Sequence, residues 1–208
     1  FVNASASPDQ QACPDGSFTT EAGADSVTYC TVSAPGFFEN SSSVFSPCPP
    51  GYYQPLPAQP ECLAAEPGHF VPGHGNVSQT PAAPGFYVEN STAIAQTPCP
   101  PGTYQPEPGQ VGCLQAEPGF FVGIDASLDQ KPCSIGEYQL LGGQSNCTKA
   151  SSGHYVNHLG SSSQQPCSLG TFQPGVGQDA CIPSLPGFFV GHEGATTQEP
   201  CYYGYFQS

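Results

Sequence analysis

The sequence predicts a small disulfide-rich fold, mostly irregular with short β-hairpins and no helix, arranged as an elongated ladder or solenoid of about twelve 17-residue repeats. Three observations carry this prediction: a glycine register that recurs along the chain, 25 Gly with 25 Pro, and 11 Cys in 208 residues. A chain so rich in turn residues cannot build an ordinary hydrophobic core. Disulfides stabilise such thin cores and persist in oxidising compartments.

The repeat is marked by a glycine, here named the turn glycine, with an aromatic residue two places later. The turn glycines are Gly16, Gly36, Gly51, Gly68, Gly85, Gly102, Gly119, Gly136, Gly153, Gly170, Gly187 and Gly204. From Gly51 onward the interval is 17 residues, and the earlier intervals of 20 and 15 fit a loop insertion and a loop deletion. The second residue after the glycine is always Phe or Tyr, whereas the intervening one varies from Ser17 to Glu137 to Phe188. This contrast predicts a buried ring beside an exposed residue.

A Pro-Gly pair precedes many of these rings and predicts a tight turn, because glycine adopts the positive φ that such turns require. The short segments on either side suit two-stranded hairpins. One copy buries too little surface to fold alone, so stacking between neighbouring copies is expected to supply the remaining stability.

The copies are of two kinds, which differ at two places that change together. Bridged copies pair Cys48 with Cys62, Cys99 with Cys113, Cys133 with Cys147, Cys167 with Cys181, and, across a longer loop, Cys13 with Cys30. Unbridged copies have Ser33, Ala65, Ala82, Ala116, Ala150 or Ser184 at the first place and usually Gln at the second, as at Gln79, Gln96, Gln130, Gln164 and Gln198. Because both cysteines vanish together, each disulfide is expected to close within one copy.

The register also predicts the domain organisation, a single continuous array over residues 1–208 that is a segment of a longer chain. Cys201 opens a bridged copy whose partner is expected 14 residues later, beyond Ser208; a free thiol is the alternative interpretation. Two unbridged copies follow each other at about 65–98. We interpret this break either as a soft stretch or contact site, or as a harmless variation of the register.

Two hexapeptides carry a family resemblance. Cys-Pro-Pro-Gly-Tyr-Tyr at 48–53 and Cys-Pro-Pro-Gly-Thr-Tyr at 99–104 resemble the short cysteine-rich repeats of the ephrin-receptor-like type, related in style to tumour necrosis factor receptor modules. Such repeats usually read Cys-x-x-Cys at each junction, whereas here alanine stands three places after Cys62, Cys113 and Cys147. The resemblance implies an extracellular, elongated, β-poor ladder without enzymatic activity.

Five Asn-x-Ser/Thr sequons indicate N-glycosylation in a secreted chain, and covalent glycans are the only non-protein groups expected. They begin at Asn3, Asn40, Asn76, Asn90 and Asn146. Four of the five lie in unbridged copies, where they are expected on a common outward loop. Asn146 precedes Cys147, whose bridge is expected to hinder modification. The serine runs at 41–43 and 161–163 are further candidates for O-linked sugars.

Other functional classes find little support in the sequence. The formal charge of −14, with Lys131 and Lys149 as the only cations besides His, disfavours nucleic acids and anionic membranes. No apolar run approaches the roughly 20 residues of a membrane span. The histidines show no zinc-site spacing, and no catalytic constellation recurs. We expect no cofactor, no metal and no catalytic residue; weak calcium binding by Asp125, Asp129 and Glu137 is the minor alternative.

The sequence therefore favours a non-enzymatic structural glycoprotein at the cell surface or outside the cell. We expect a glycan-coated stalk or filament subunit, such as a ciliary or flagellar hair or a surface fibre, whose partners are copies of itself or other extracellular proteins. The alternative is the ectodomain of a ligand-binding receptor or adhesin. An adhesin would bind sugar through rings such as Phe37, Phe86, Phe120 and Phe188, which packing between copies also explains.

Overall fold

The structure, a computed structural model, describes residues 13–19, 26–40 and 44–202. The chain divides into two compact units. The first unit comprises residues 1–82, 88–97 and 109–111, and the second comprises residues 83–87, 98–108 and 112–208. Both units are built from the same short hairpin.

Each copy within the described ranges forms a two-stranded sheet from strands that are neighbours in sequence. The strands are β1 (Ser17–Phe18), β2 (Thr31–Val32), β3 (Phe37–Asn40), β4 (Val44–Pro47), β5 (Tyr52–Tyr53), β6 (Leu63–Ala64), β7 (His69–Phe70), β8 (Thr80–Pro81), β9 (Phe86–Tyr87), β10 (Thr97–Pro98), β11 (Thr103–Tyr104), β12 (Leu114–Gln115), β13 (Phe120–Phe121), β14 (Lys131–Pro132), β15 (Glu137–Tyr138), β16 (Thr148–Lys149), β17 (His154–Tyr155), β18 (Gln165–Pro166), β19 (Thr171–Phe172), β20 (Ile182–Pro183), β21 (Phe188–Phe189) and β22 (Glu199–Pro200). The described residues contain no α-helix, and one 3-10 turn, Val27–Tyr29, lies in the longer loop of the first copy. The predicted class of disulfide-rich β-hairpin repeats is confirmed.

Each hairpin begins with a tight turn around the turn glycine. The N–H of Tyr52 donates to the carbonyl of Pro49 at 3.0 Å, and Gly51 has a φ of 85°. Glycine at the third turn position with positive φ is the geometry of a type II turn. A second constraint acts on the same residue, because a Cβ on Gly51 would overlap the carbonyl oxygen of Thr92, two copies further along. Both the turn and the packing therefore require glycine.

The prediction of a buried ring is wrong. Phe121 is half-buried, as is the intervening Phe120, and in the first copy Ser17 is buried while Phe18 is only half-buried. A two-residue strand has no second layer to cover a ring, so the ring leans over its own loop, as Phe121 does over Gly123. The ring is thus invariant without belonging to the buried core.

The core consists of two columns of small or medium side chains. The rung position, three residues before the turn glycine, is buried at Ser33, Cys48, Ala65, Ala82, Cys99, Ala116, Cys133, Ala150 and Cys167. The core position, three residues after it, is buried at Gln54, Val71, Val88, Gln105, Val122, Gln139, Val156, Gln173 and Val190. Close approach of neighbouring backbones explains why these columns hold no large ring.

Backbone hydrogen bonds join each copy to the next. The N–H of Gly51 donates to the carbonyl of Val71 at 2.9 Å, and the N–H of Gln54 donates to the carbonyl of Asn76 at 3.0 Å. The N–H of Ala65, at the rung position of the next copy, donates to the carbonyl of Gly51 at 2.8 Å. The same three bonds recur in both units and satisfy the backbone groups of copies too small to do so alone.

Candidate functional site

Five disulfides close the bridged copies, and each joins two cysteines of the same copy. Cys13 bonds Cys30, Cys48 bonds Cys62, Cys99 bonds Cys113, Cys133 bonds Cys147, and Cys167 bonds Cys181. The Cα–Cα distances of 5.7–5.8 Å lie in the usual range for disulfides. Among the described residues only Cys201 is unpaired, and it is half-buried.

A buried glutamine supports the loop of the four bridged copies from Cys48 to Cys181; the first copy has the exposed Thr19 at this position. Gln139, 8% exposed, donates from Nε2 to the carbonyl of Asn146 at 2.7 Å, and its Oε1 accepts the N–H of Leu141 at 3.2 Å. Gln54, Gln105 and Gln173 form the same pair of bonds. The side chain thereby pairs with the carbonyl just before the second cysteine, and no buried side-chain nitrogen or oxygen of the described residues lacks a partner.

Unbridged copies close their loops with a glutamine in place of the disulfide. We name the place of the second cysteine the closing position. At this position Oε1 of Gln130 accepts the N–H of Glu117 at 2.7 Å, directly beside the rung residue Ala116. Gln79, Gln164 and Gln198 make the equivalent bond. The core position then holds Val, as at Val122. From Gly51 to Gly187 three positions therefore change together. The rung, core and closing positions hold Cys, Gln and Cys in bridged copies, and Ala or Ser, Val and Gln in unbridged copies.

The break in the alternation changes which copies contact each other. From Gly16 to Gly153 each turn glycine lies against the copy two further along, so Gly102 of a bridged copy meets Gly143 of another bridged copy. In the first unit Gly51 of a bridged copy instead meets Thr92 of an unbridged copy. The backbone bonds continue through the break, since the N–H of Gly68 donates to the carbonyl of Val88 at 2.8 Å. The break is thus a change in the order of copies rather than a loss of structure.

A second column of left-handed residues was not foreseen from the sequence. The seventh residue after the turn glycine, here the second-glycine position, has positive φ at Gly75, Gly109, Gly143, Gly160, Gly177 and Gly194. Ala58, Thr92 and Ala126 occupy the same position with φ of 53–58°. These three exceptions interrupt the glycine spacing, which is why the column is hard to recognise in the sequence.

The sequon asparagines Asn76, Asn90 and Asn146 lie in loops between paired strands. Asn90 and Asn146 are exposed, and Asn76 is half-buried. Nδ2 of Asn76 donates to the carbonyl of Gly73 at 2.7 Å. Asn40 ends strand β3. Asn3 lies outside the described residues, as does the serine run at 41–43.

Of the rings proposed as a sugar-binding surface, Phe120 packs against a copy further along the same unit. Phe86, Phe120 and Phe188 are half-buried, and Phe37 is 36% exposed. Cζ of Phe120 lies 3.6 Å from the place that a Cβ would take at Gly160, two copies further along. The contact favours packing between copies over an open sugar platform.

Charged side chains form no concentrated site in the described part of the chain. No group of three His, Cys, Asp or Glu side chains in those ranges is arranged to hold a metal ion. His69 and His154 lie in strands β7 and β17. Nδ1 of His69 lies 3.5 Å from the carbonyl oxygen of Pro67, and Nδ1 of His154 lies 3.3 Å from that of Ser152. The described residues also contain no helix long and apolar enough to cross a membrane.

Comparison with known families agrees with the hexapeptide resemblance. Residues 153–201 match the family model described as tyrosine-protein kinase ephrin type A/B receptor-like. This range includes the bridged copy closed by Cys167–Cys181. An ephrin-receptor-like cysteine-rich repeat is therefore present there, and repeats of this type are non-catalytic extracellular modules. No curated protein shows a significant match to the chain.

Proposed function

We propose that this chain is a non-enzymatic structural glycoprotein outside the cell, a stalk or filament subunit whose copies set length and stiffness. Its partners are copies of itself or other extracellular proteins, and it needs no cofactor besides covalent glycans. The match to an extracellular receptor-type repeat supports the location. Disulfides persist in that oxidising environment.

The observation that carries the structural role is the uniformity of the contacts between copies. In the second unit the turn glycine donates to the core position of the next copy six times, from Gly85, Gly102, Gly119, Gly136, Gly153 and Gly170, with N–O distances of 2.7–3.1 Å. A binding module concentrates departures from regularity in one place. Evenly repeated contacts instead serve to transmit load and to fix a spacing.

Electron microscopy of the native, unreduced protein from its source tests this role. The proposal predicts regular filaments or stalks surrounded by a diffuse glycan layer. Isolated short rods on membranes would contradict a filament and favour the alternative. Reduction with dithiothreitol before imaging is the control, because loss of the five described bridges should disorder the filaments.

A receptor or adhesin ectodomain is the second candidate, and the break at 65–98 favours it. Two unbridged copies follow each other only there within the sequence, and their Val77 and Ile94 are 50% and 58% exposed and so accessible to a protein ligand. Replacing both with serine should abolish ligand binding if this stretch is a receptor site. Filaments that form with unchanged spacing in the same variant would support the structural role.

A further inference from the structure

Thr92 occupies a backbone conformation that the repeat otherwise assigns mostly to glycine. Its φ is 58° at the second-glycine position, where most copies have glycine. A β-branched residue rarely adopts this left-handed region, because its side chain crowds the backbone. The chain thus tolerates local strain at Thr92, and such strain calls for a reason.

The fold itself uses only the backbone of Thr92. Its N–H donates to the carbonyl of Ala65 at 2.9 Å, and Gly109 makes the equivalent bond to Ala82 at 2.8 Å without any side chain. The Thr92 side chain is exposed, and its Oγ1 donates only to the adjacent carbonyl of Ser91 at 2.6 Å. Packing therefore does not explain the threonine.

The remaining role of the hydroxyl is chemical, because Thr92 is the third residue of the sequon that begins at Asn90. We propose that Asn90 carries an N-linked glycan, that Thr92 is retained in a strained conformation for its sequon hydroxyl, and that Asn76 stays unmodified. This inference rests on the proposed extracellular function, which brings the chain through a secretory compartment.

The two neighbouring sequons differ in the state of the amide that would be glycosylated. Asn90 is exposed, and its side chain has no hydrogen-bond partner within the described ranges. Asn76 is half-buried, and its Nδ2 is already bound to the carbonyl of Gly73. Gln144 and Gln178, at the same register position, make similar bonds to Gly142 and Val176. The Asn76 amide is therefore part of the loop structure.

The modification is a group transfer from a lipid pyrophosphate-linked oligosaccharide, catalysed by a host glycosyltransferase. Nδ2 of Asn90 forms a bond to the anomeric carbon of the first sugar, and the bond from that carbon to the pyrophosphate oxygen breaks. The lipid pyrophosphate leaves with the electron pair of that bond. One amide proton passes to a base of the transferase, so the product is a neutral N-glycosidic amide.

The test is site-resolved mass spectrometry of the full chain, secreted from eukaryotic cells behind the host's own leader peptide. Enzymatic release of N-glycans in heavy-oxygen water converts each modified asparagine to labelled aspartate. We expect the label at Asn90 in most chains and its absence from Asn76. Thr92→Gly should lose the label at Asn90 while raising the thermal midpoint, and Thr92→Ser should keep the label. Ala126→Gly, which relieves the same backbone strain outside any sequon, should leave the label unchanged.

Three results would overturn the inference. An unlabelled Asn90 in the secreted, fully oxidised chain would refute the site, yet leave the proposed extracellular role standing. Equal labelling of Asn76 and Asn90 would show that the Gly73 bond gives no protection. A Ser78→Thr variant gives the Asn76 sequon a threonine at its third place. If Asn76 is labelled in this variant but not in the unchanged chain, the serine rather than the bond to Gly73 explains why Asn76 is unmodified. Native material without disulfides would count instead against the proposed function.

Discussion

At the residue scale, the turn glycine is the position least able to accept a side chain. Gly102 has a φ of 88°, and a Cβ there would overlap the carbonyl oxygen of Gly143. Gly102→Ala should therefore lower the free energy of unfolding by about 2 kcal/mol or more, from backbone strain together with displacement of the neighbouring copy. Urea denaturation of the oxidised protein measures this change.

Gly112→Ala is the matched control, because no atom lies within 4 Å of a Cβ placed there and its φ is not positive. Its free energy of unfolding should stay equal or rise by about 0.5–1 kcal/mol as the unfolded chain loses entropy. Similar losses for both variants would mean that the overlap with Gly143 is not what requires glycine at position 102.

At the second-glycine position, glycine should be more stabilising than the alanine that is present. Ala126 has a φ of 53°, so Ala126→Gly should raise the free energy of unfolding by about 1 kcal/mol, as the relief of left-handed strain exceeds the entropy cost of glycine. Ala180, exposed and outside the positive-φ set, is the control. Ala180→Gly should be destabilising in the same urea titration, and stabilisation there would point to a general loop effect.

At the element scale, the two ways of closing a hairpin should be interchangeable. Ala116 and Gln130 occupy the places of the two cysteines, and Gln130 already bonds the residue next to Ala116 at 2.7 Å. Ala116→Cys with Gln130→Cys should form a sixth disulfide and add about 3 kcal/mol of stability for a loop of this length. Intact mass with and without thiol alkylation detects the bond.

The single Ala116→Cys variant should keep a free thiol and gain no stability, which makes it the control for the pair. Two free thiols in the oxidised double variant would show that the glutamine bond and the disulfide require different hairpin geometries. A bond formed without any gain in stability would mean that the unbridged loop is already as constrained as a bridged one.

The buried glutamine of a bridged hairpin should contribute more to stability than the half-buried Gln144 of the same loop. Gln139→Ala removes two hydrogen bonds, to the carbonyl of Asn146 at 2.7 Å and from the N–H of Leu141 at 3.2 Å, and each is worth about 0.5–1.5 kcal/mol. Gln144→Ala removes a single bond of 3.2 Å to Gly142 and should have a smaller effect. Equal losses by urea denaturation would contradict a special role for Gln139.

At the scale of the whole chain, the break at 65–98 should be as stable as the regular copies. The N–H of Gly68 bonds the carbonyl of Val88 at 2.8 Å, and the N–H of Gly136 bonds the carbonyl of Val156 at the same distance. Hydrogen exchange should therefore protect Gly68 and Gly136 to a similar degree. Much faster exchange at Gly68 would instead support the interpretation of this stretch as soft.

The sequence predicted the disulfide pairs and the tight turns at the turn glycines, because both can be recognised by comparing the copies with each other. The positions of Cys133 and Cys147 lose cysteine together in the unbridged copies, and the position of Gly102 holds glycine in every copy. The core could not be predicted in the same way, because invariance does not imply burial: the position of Phe121 always holds Phe or Tyr yet is half-buried, while the buried core position holds Val or Gln. The side-chain bonds of Gln139 depend on loop geometry that spacing alone does not contain.

The glutamine bond of the unbridged copies has a consequence for the order in which the chain matures. A loop of about ten residues closes in roughly 10–100 ns, whereas disulfides form in seconds to hours. Gln164 needs no oxidant to reach the N–H of Ser151, so this loop can close as soon as neighbouring copies stack, without waiting for Cys167 to pair with Cys181. We therefore expect stacked unbridged copies to hold adjacent thiols in register while the slower oxidation proceeds.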